Sequence, residues 1–374
     1  MEHRTFEKLG VSPSLLGFGC MRFPQTPDGN IDEAEAEKML NRAMDAGVNY
    51  IDTAYPYHNG DSEPFVGRVL KKRDRDSFFL ATKLPVWNVK TKEDVKRIFQ
   101  EQLDRLDVDY VDFYLLHCLD KEKWQTVLEL DIIPYMEQMK EEGKIRYLGF
   151  SFHDDFETFK TIVTYRKWDF CQIQYNYVDT DIQAGDKGYE LTEELGIPLV
   201  IMEPIKGGSL ATLPDVVTEP FRDYNPENSV SSWALRWVAS KPNVKVVLSG
   251  MSTMEQVEDN LKTFENFIPL SLKEKEIVAD VAASIKKRTK NGCTGCAYCM
   301  PCPFGVNIPK NFRIWNDLSM YGNKEGSKRA YFSELAEDER ADKCQKCGKC
   351  EEVCPQALHI RENLEQVAED MKSL

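Results

Sequence analysis

Residues 49–63 read NYIDTAYPYHNGDSE, and the fold follows from how this stretch ends its first three residues. Asn49, Tyr50 and Ile51 form a short apolar run of strand character, and Asp52 then places a carboxylate where strand gives way to loop. An ionisable group at the end of a buried strand costs folding energy, so it is retained where it does chemistry. Two later segments repeat the pattern. FFLATKLP (78–85) delivers Lys83, and VDFYLLHCLD (111–120) delivers His117. Three strands therefore aim Asp52, Lys83 and His117 at one rim, with the Tyr57 phenol on the loop beside them.

Working outward, apolar runs of strand length at 15–21, 49–54, 78–83, 111–117, 145–151, 170–176, 198–204 and 244–250 alternate with segments of helical period. The helical segments include DEAEAEKMLNRAMDAG, KEDVKRIFQEQLDRL, VLELDIIPYMEQMKEEG, HDDFETFKTIVTYRK and NSVSSWALRWVAS. Continuous apolar strands separated by helices are the pattern of a parallel sheet buried on both faces, and eight such units predict an α/β fold, the (β/α)8 TIM barrel. Gly47, Gly143 and Gly196 stand where helices should stop. RTFEKLGVSPS (4–14) reads as a hairpin closing the barrel bottom, and the Gly- and Pro-rich segment 205–227 as a loop over the active-site mouth. KKRDRD (71–76) reads as a solvated helix end. LSLKEKEIVADVAASIKKRTK (270–290) reads as one more helix.

With 374 residues the chain exceeds one ordinary domain. The expected division is a barrel over 1–284 and a smaller domain over 285–374. A net charge of −14 argues against nucleic acid or an anionic membrane as partner, since both demand a clustered positive field. MEHRTFEKLG carries no signal-peptide pattern and no stretch reads as a membrane span, so a cytoplasmic location is expected. Of the eleven cysteines, Cys20, Cys118 and Cys171 stand alone in apolar runs and read as small core residues. The other eight fall in two tight groups, which in a reducing compartment means metal.

The run IDTAYPYHNGDSEPFVG, then ATK, then LLH, in this order, resembles the aldo/keto reductases. The resemblance covers roughly residues 1–265 and implies a catalytic set of Asp52, Tyr57, Lys83 and His117. In it the phenol donates a proton to a carbonyl oxygen, Lys83 lowers the phenol pKa, Asp52 holds Lys83, and His117 bonds the substrate oxygen. Tyr55 is the rival phenol, but Tyr57 has the family's interval from Asp52. The resemblance also implies NAD(P)H, with Ser151 and Gln172 on the nicotinamide amide, Met202 where the family has a stacking tyrosine, and Gly250, Gln256 and Asn260 toward the adenosine. Phe152 replaces the asparagine usual after the serine. LSGMSTMEQVEDN lacks the Arg or Lys that would bind a 2′-phosphate, which argues against an NADPH preference.

Cys344, Cys347, Cys350 and Cys354-Pro355 follow C-x2-C-x2-C-x3-C-P, the bacterial ferredoxin run, in which the fourth cysteine serves the other cluster. Cys293, Cys296, Cys299 and Cys302-Pro303 form the first group, one residue shorter before its last cysteine. The resemblance implies two 4Fe-4S clusters with crossed ligands: Cys293, Cys296, Cys299 and Cys354 on one, and Cys344, Cys347, Cys350 and Cys302 on the other. Structural zinc is the alternative for a set of four cysteines. The sequence between the groups is helical, so an all-helical ferredoxin-like domain is expected.

The leading functional reading is an oxidoreductase that interconverts a small-molecule carbonyl and alcohol at the barrel rim, linked through the clusters to a one-electron carrier protein. A hydride transfer alone needs no cluster. The competing readings are a plain NAD(P)H carbonyl reductase with structural clusters, and a non-catalytic scaffold whose cysteine domain docks a partner.

Overall fold

A computed structural model describes all residues, Met1–Leu374. Eight parallel strands, β1 (Leu16–Gly19), β2 (Tyr50–Asp52), β3 (Phe79–Leu84), β4 (Val111–Leu119), β5 (Ile145–Phe152), β6 (Phe170–Gln174), β7 (Leu199–Met202) and β8 (Val244–Gly250), pair in sequence order and close on themselves, β8 against β1. The expected barrel is therefore present, each apolar run supplying one strand. Its outer helices are α1 (Glu33–Asp45), α2 (Ser62–Leu70), α3 (Lys92–Leu106), α4 (Lys121–Glu129), α5 (Ile132–Glu141), α6 (Phe156–Tyr165) and α7 (Gly185–Leu195). They are followed by α8 (Asp215–Tyr224), α9 (Val230–Ala239), α10 (Met254–Glu265) and α11 (Leu272–Lys287).

The interior is filled by Phe6, Tyr50, Ala81, Phe113, Leu115, Phe170, Val200, Val246 and Leu248, all buried. Phe6 comes from the N-terminal hairpin, whose bridges His3↔Ser14 and Phe6↔Val11 place its ring against Phe113 at 5.6 Å. The hairpin thus seals one barrel end, and charged strand ends remain for the other.

Three local expectations change. The segment 127–143 is two helices rather than one, because Asp131 takes a left-handed conformation (φ 49°) between α4 and α5. KKRDRD is not simply solvated, since Arg75 reaches the fully buried Asp112 at 2.7 Å. Segment 205–227 is not one loop: it contains α8, and by packing the chain divides into Met1–Lys206 with Ser232–Leu272, and Gly207–Ser231 with Lys273–Leu374. The second unit thus differs from the expected 285–374 by taking in α8 and most of α11.

Within that second unit the remaining helices are α12 (Ile308–Tyr321), α13 (Lys324–Arg329), α14 (Lys349–Glu352) and α15 (Ile360–Lys372). Its core joins Val306, Ile308, Phe312, Trp315, Leu364 and Met371, with six of the eight clustered cysteines packed against it. The unit contains no strand, in line with the helical character read from its sequence. No helix of the chain is long and apolar enough to cross a membrane.

Candidate active site and cysteine centres

Asp52 ends β2, Lys83 lies near the end of β3, and their registers run through the shared ladder pair Asp52↔Ala81. Strand alternation turns Lys83 inward, where it is fully buried, and its Nζ donates to Asp52 Oδ1 at 2.6 Å and to the Thr53 carbonyl at 2.8 Å. The third proton of the ammonium meets the Tyr57 hydroxyl at 3.4 Å. All three donors of Lys83 are used, and one of the two Asp52 oxygens, Oδ2, is left without a partner.

Burial pushes the Asp52 carboxyl up while Lys83 pulls it back; against burial, Asp52 and Tyr57 hold Lys83 above the ordinary lysine value. The pair is an ion pair buried in the barrel end. The Tyr57 phenol is not lowered, as expected from the sequence, but raised, because burial outweighs the opposing charge of Lys83. Tyr57 therefore keeps its proton at neutral pH, and Lys83 acts on the phenolate that forms when the proton leaves rather than on the resting group.

Tyr57 is followed by three left-handed residues, His58 (φ 51°), Asn59 (φ 56°) and Gly60 (φ 99°). At the two non-glycine positions, His58 and Asn59, such strain persists only where surrounding contacts enforce it. Here the Phe23 N–H donates to His58 Nε2 at 3.3 Å, tying the loop after β1 to the loop that presents the phenol. Tyr55 is turned outward instead, with its hydroxyl on Glu101 at 2.9 Å and Arg105 over its ring. The two phenols thus face different sides of the barrel wall, Tyr57 toward Lys83 and Tyr55 toward Glu101.

His117 sits where the β4–β5 register slips between Leu116 and Leu119. Its ring stands edge-on to Tyr57 at 6.0 Å and beside Trp87 at 5.0 Å, and its buried Nδ1 has no partner. Burial, then the nearby Lys83 charge, hold it well below the usual histidine value, so the imidazole is neutral. Cys118, next in line, is half-buried in a left-handed conformation (φ 57°) rather than a core residue like Cys20 and Cys171.

The expected dinucleotide residues lie on β5 to β8 and on α10. Ser151 and Gln172 are direct register partners. Ser151 Oγ accepts from the Cys118 N–H at 2.7 Å, and Gln172 donates to Met202 Sδ at 3.4 Å. The Gln172 carbonyl oxygen is buried and unpartnered. One free acceptor beside a hydroxyl that donates to no protein group fits a carboxamide, so the residues present suit the group. Phe152 packs on Phe159 at 5.1 Å, away from this pair. On the β8 side, Asn260 donates to Ser249 Oγ at 2.9 Å and Gln256 Oε1 accepts from the Ser252 N–H at 2.7 Å, beside Gly250.

Behind Lys83 lies a buried network that motif reading did not single out. Glu63, fully buried on α2, accepts from Thr82 Oγ1 at 2.6 Å and from Gln102 Nε2 at 2.7 Å, while Tyr114 donates to Gln102 at 2.7 Å. It locks β3 to α2 and α3. The available signal was a glutamate within the apolar face of SEPFVGRVL.

The eight cysteines form two sets. One cavity is lined by Cys293, Cys296, Cys299 and Cys354; another by Cys302, Cys344, Cys347 and Cys350, with Cys299 also at its edge. The electrostatic neighbours agree: Cys299 feels Cys293, Cys296 and Cys354, and Cys350 feels Cys344 and Cys347. The thiols of each set line their cavity together. A set of four sulfur donors lining one cavity fits an iron–sulfur cluster.

Barrel, buried ion pair and phenol together define an oxidoreductase, and residues 15–283 match the aldo/keto reductase family model. The chain belongs to the aldo/keto reductase family. Residues 292–360 match a 4Fe-4S dicluster domain. The chain is similar to the NADH-specific methylglyoxal reductase of Escherichia coli (strain K12), 24% identical over 333 residues that cover 74% of this chain and 97% of that protein. It is also similar to an uncharacterized oxidoreductase of Bacillus subtilis (strain 168), 27% identical over 68% of this chain and 89% of the relative. Among solved structures, the holo form of an aldo-keto reductase from Bacillus halodurans superposes with a TM-score of 0.64 at 26% identity, covering 75% of this chain and 96% of that one.

Proposed function

We propose that the barrel rim interconverts a small-molecule carbonyl and its alcohol, with Tyr57 as proton donor, Lys83 and Asp52 as its charge partners, and His117 as the group that orients the substrate oxygen. The observation that carries this reading is Lys83 Nζ bonded at once to Asp52 and to the Tyr57 hydroxyl at the open end of a sealed barrel. A nicotinamide dinucleotide held by Ser151, Gln172, Met202, Gly250, Gln256 and Asn260 supplies the hydride when bound. In the reducing direction Tyr57 gives its proton to the oxygen as negative charge develops there. The phenolate left behind faces an ammonium that is already in place, so no solvent must reorganise. Neutral His117 directs the carbonyl by a hydrogen bond without adding charge.

The reading extends to the second unit. Cys293, Cys296, Cys299 and Cys354 would hold one 4Fe-4S cluster, and Cys302, Cys344, Cys347 and Cys350 the other, supplying one-electron steps toward a carrier protein. The match to a 4Fe-4S dicluster domain and the two crossed cysteine sets support the cluster ligation.

The test of the rim is Tyr57→Phe, which keeps the ring and deletes the transferable proton. Turnover should fall by about 10²- to 10⁴-fold, the usual worth of a positioned general acid, with little change in cofactor affinity. Tyr55→Phe, on the outer face, serves as the control. Near-normal turnover of Tyr57→Phe on a carbonyl accepted by the parent rules out the phenol as donor.

A further inference from the structure

The loop after β8 carries no basic residue to meet a phosphate, yet the closure of the barrel brings one in from β1. Gly19 and Gly250 are register partners, so the residues following β1 lie beside that loop. Arg22, three residues past β1, lays its stem across Gly250: a Cβ at Gly250 would stand 3.2 Å from Arg22 Cβ and Cγ and 3.3 Å from its Cδ. Ser252 Oγ donates to the Arg22 carbonyl at 2.7 Å, and the Ser252 N–H donates to Gln256, so Arg22 is fastened to the segment that holds the expected adenosine-side residues. Its guanidinium is exposed and makes no hydrogen bond or ion pair with the protein. Arg42, Arg68 and Arg73 of the same unit each have a carboxylate partner. The guanidinium donors of Arg22 are thus left for a ligand, on a stem that is already packed. Its planar fork matches phosphate oxygens, and the packed stem means that less side-chain freedom is lost on binding.

We propose that Arg22 binds a phosphate of the dinucleotide, and that Gly250 is glycine because a side chain there would crowd the Arg22 stem. This rests on the reading of the rim as a nicotinamide-dinucleotide site. The same chemistry has two sources: the bridging pyrophosphate, present in NADH and NADPH alike, and the 2′-phosphate of NADPH alone.

The experiment measures the dissociation constants of NADH and NADPH, by quenching of dinucleotide-sensitive protein fluorescence, for the parent, Arg22→Gln and Arg22→Lys. Arg22→Gln should weaken binding by roughly 10- to 100-fold, the range of a lost charge-assisted hydrogen-bond pair, and Arg22→Lys should recover part of it. A loss confined to NADPH assigns the 2′-phosphate; an equal loss for both assigns the pyrophosphate. A parent that binds dinucleotide and an Arg22→Gln variant that binds both equally well overturn the role of Arg22 alone. A parent that binds neither dinucleotide overturns the cofactor reading of the rim and this proposal with it.

Discussion

Replacing Lys83 by Met exposes how the catalytic rim is held together. Lys83 is fully buried and Asp52 is 2% exposed, so neither can turn to water. The substitution removes the only partner of Asp52 Oδ1, on a carboxylate whose Oδ2 already has none, and leaves the Thr53 carbonyl without its lysine donor. Breaking one side of a buried ion pair costs about 3–5 kcal/mol, whereas removing both sides is often close to neutral. Lys83→Met should therefore lower the barrel's melting temperature by about 6–20 °C, at ~2–4 °C per kcal/mol for a domain of this size. The double variant Asp52→Asn/Lys83→Met should regain most of that loss without regaining turnover. There is also a pH signature. Burial already pushes Asp52 above its ordinary value of 3.8, and without Lys83 nothing opposes it. A folded-state pKa above the unfolded one makes its contribution fully present below the unfolded value and lost as pH rises through the folded one. The deficit of Lys83→Met should accordingly shrink in acid. Calorimetry of the parent, both single variants and the double variant between pH 4.5 and 8 checks this. A Lys83→Met deficit below about 1 kcal/mol, or a double variant no more stable than the single, would refute the buried-pair account.

Anaerobically purified protein should be brown, bleach with dithionite and carry about eight irons per chain, from two clusters of four; colourless protein with stoichiometric zinc sinks the cluster assignment. Cys347→Ala should stop electron exchange with a one-electron dye while direct nicotinamide-to-carbonyl turnover survives; if instead it only lowers the melting temperature, the clusters are structural. His117, held well below 6.5 in the fold by burial and by Lys83, stays neutral while the unfolded chain takes up a proton. Its contribution is full above pH 6.5 and lost as pH falls below it, so His117→Asn should gain melting temperature relative to the parent between pH 7.5 and 5.5. A flat difference across that range contradicts a buried neutral imidazole.

The barrel was legible because each parallel strand is buried on both faces, so an apolar run marks it without help from distant sequence. The same holds for Asp52, Lys83 and His117, each an ionisable group at the end of such a run, and for the cysteine spacing, which implied the crossed sets that line the two cavities. Local pattern could not weigh one burial against one charge: Tyr57 was expected to be lowered, and its pKa rises because desolvation of the phenol exceeds the pull of Lys83. Nor could it show that Asp131 breaks one helical period into two helices, that 207–231 packs with residues 273–374, or that Glu63 braces β3 from behind. Arg22 and Gly250 stand more than 200 positions apart. Their neighbourhood exists only because β8 closes on β1, and a distance created by ring closure leaves no trace in the period of either strand.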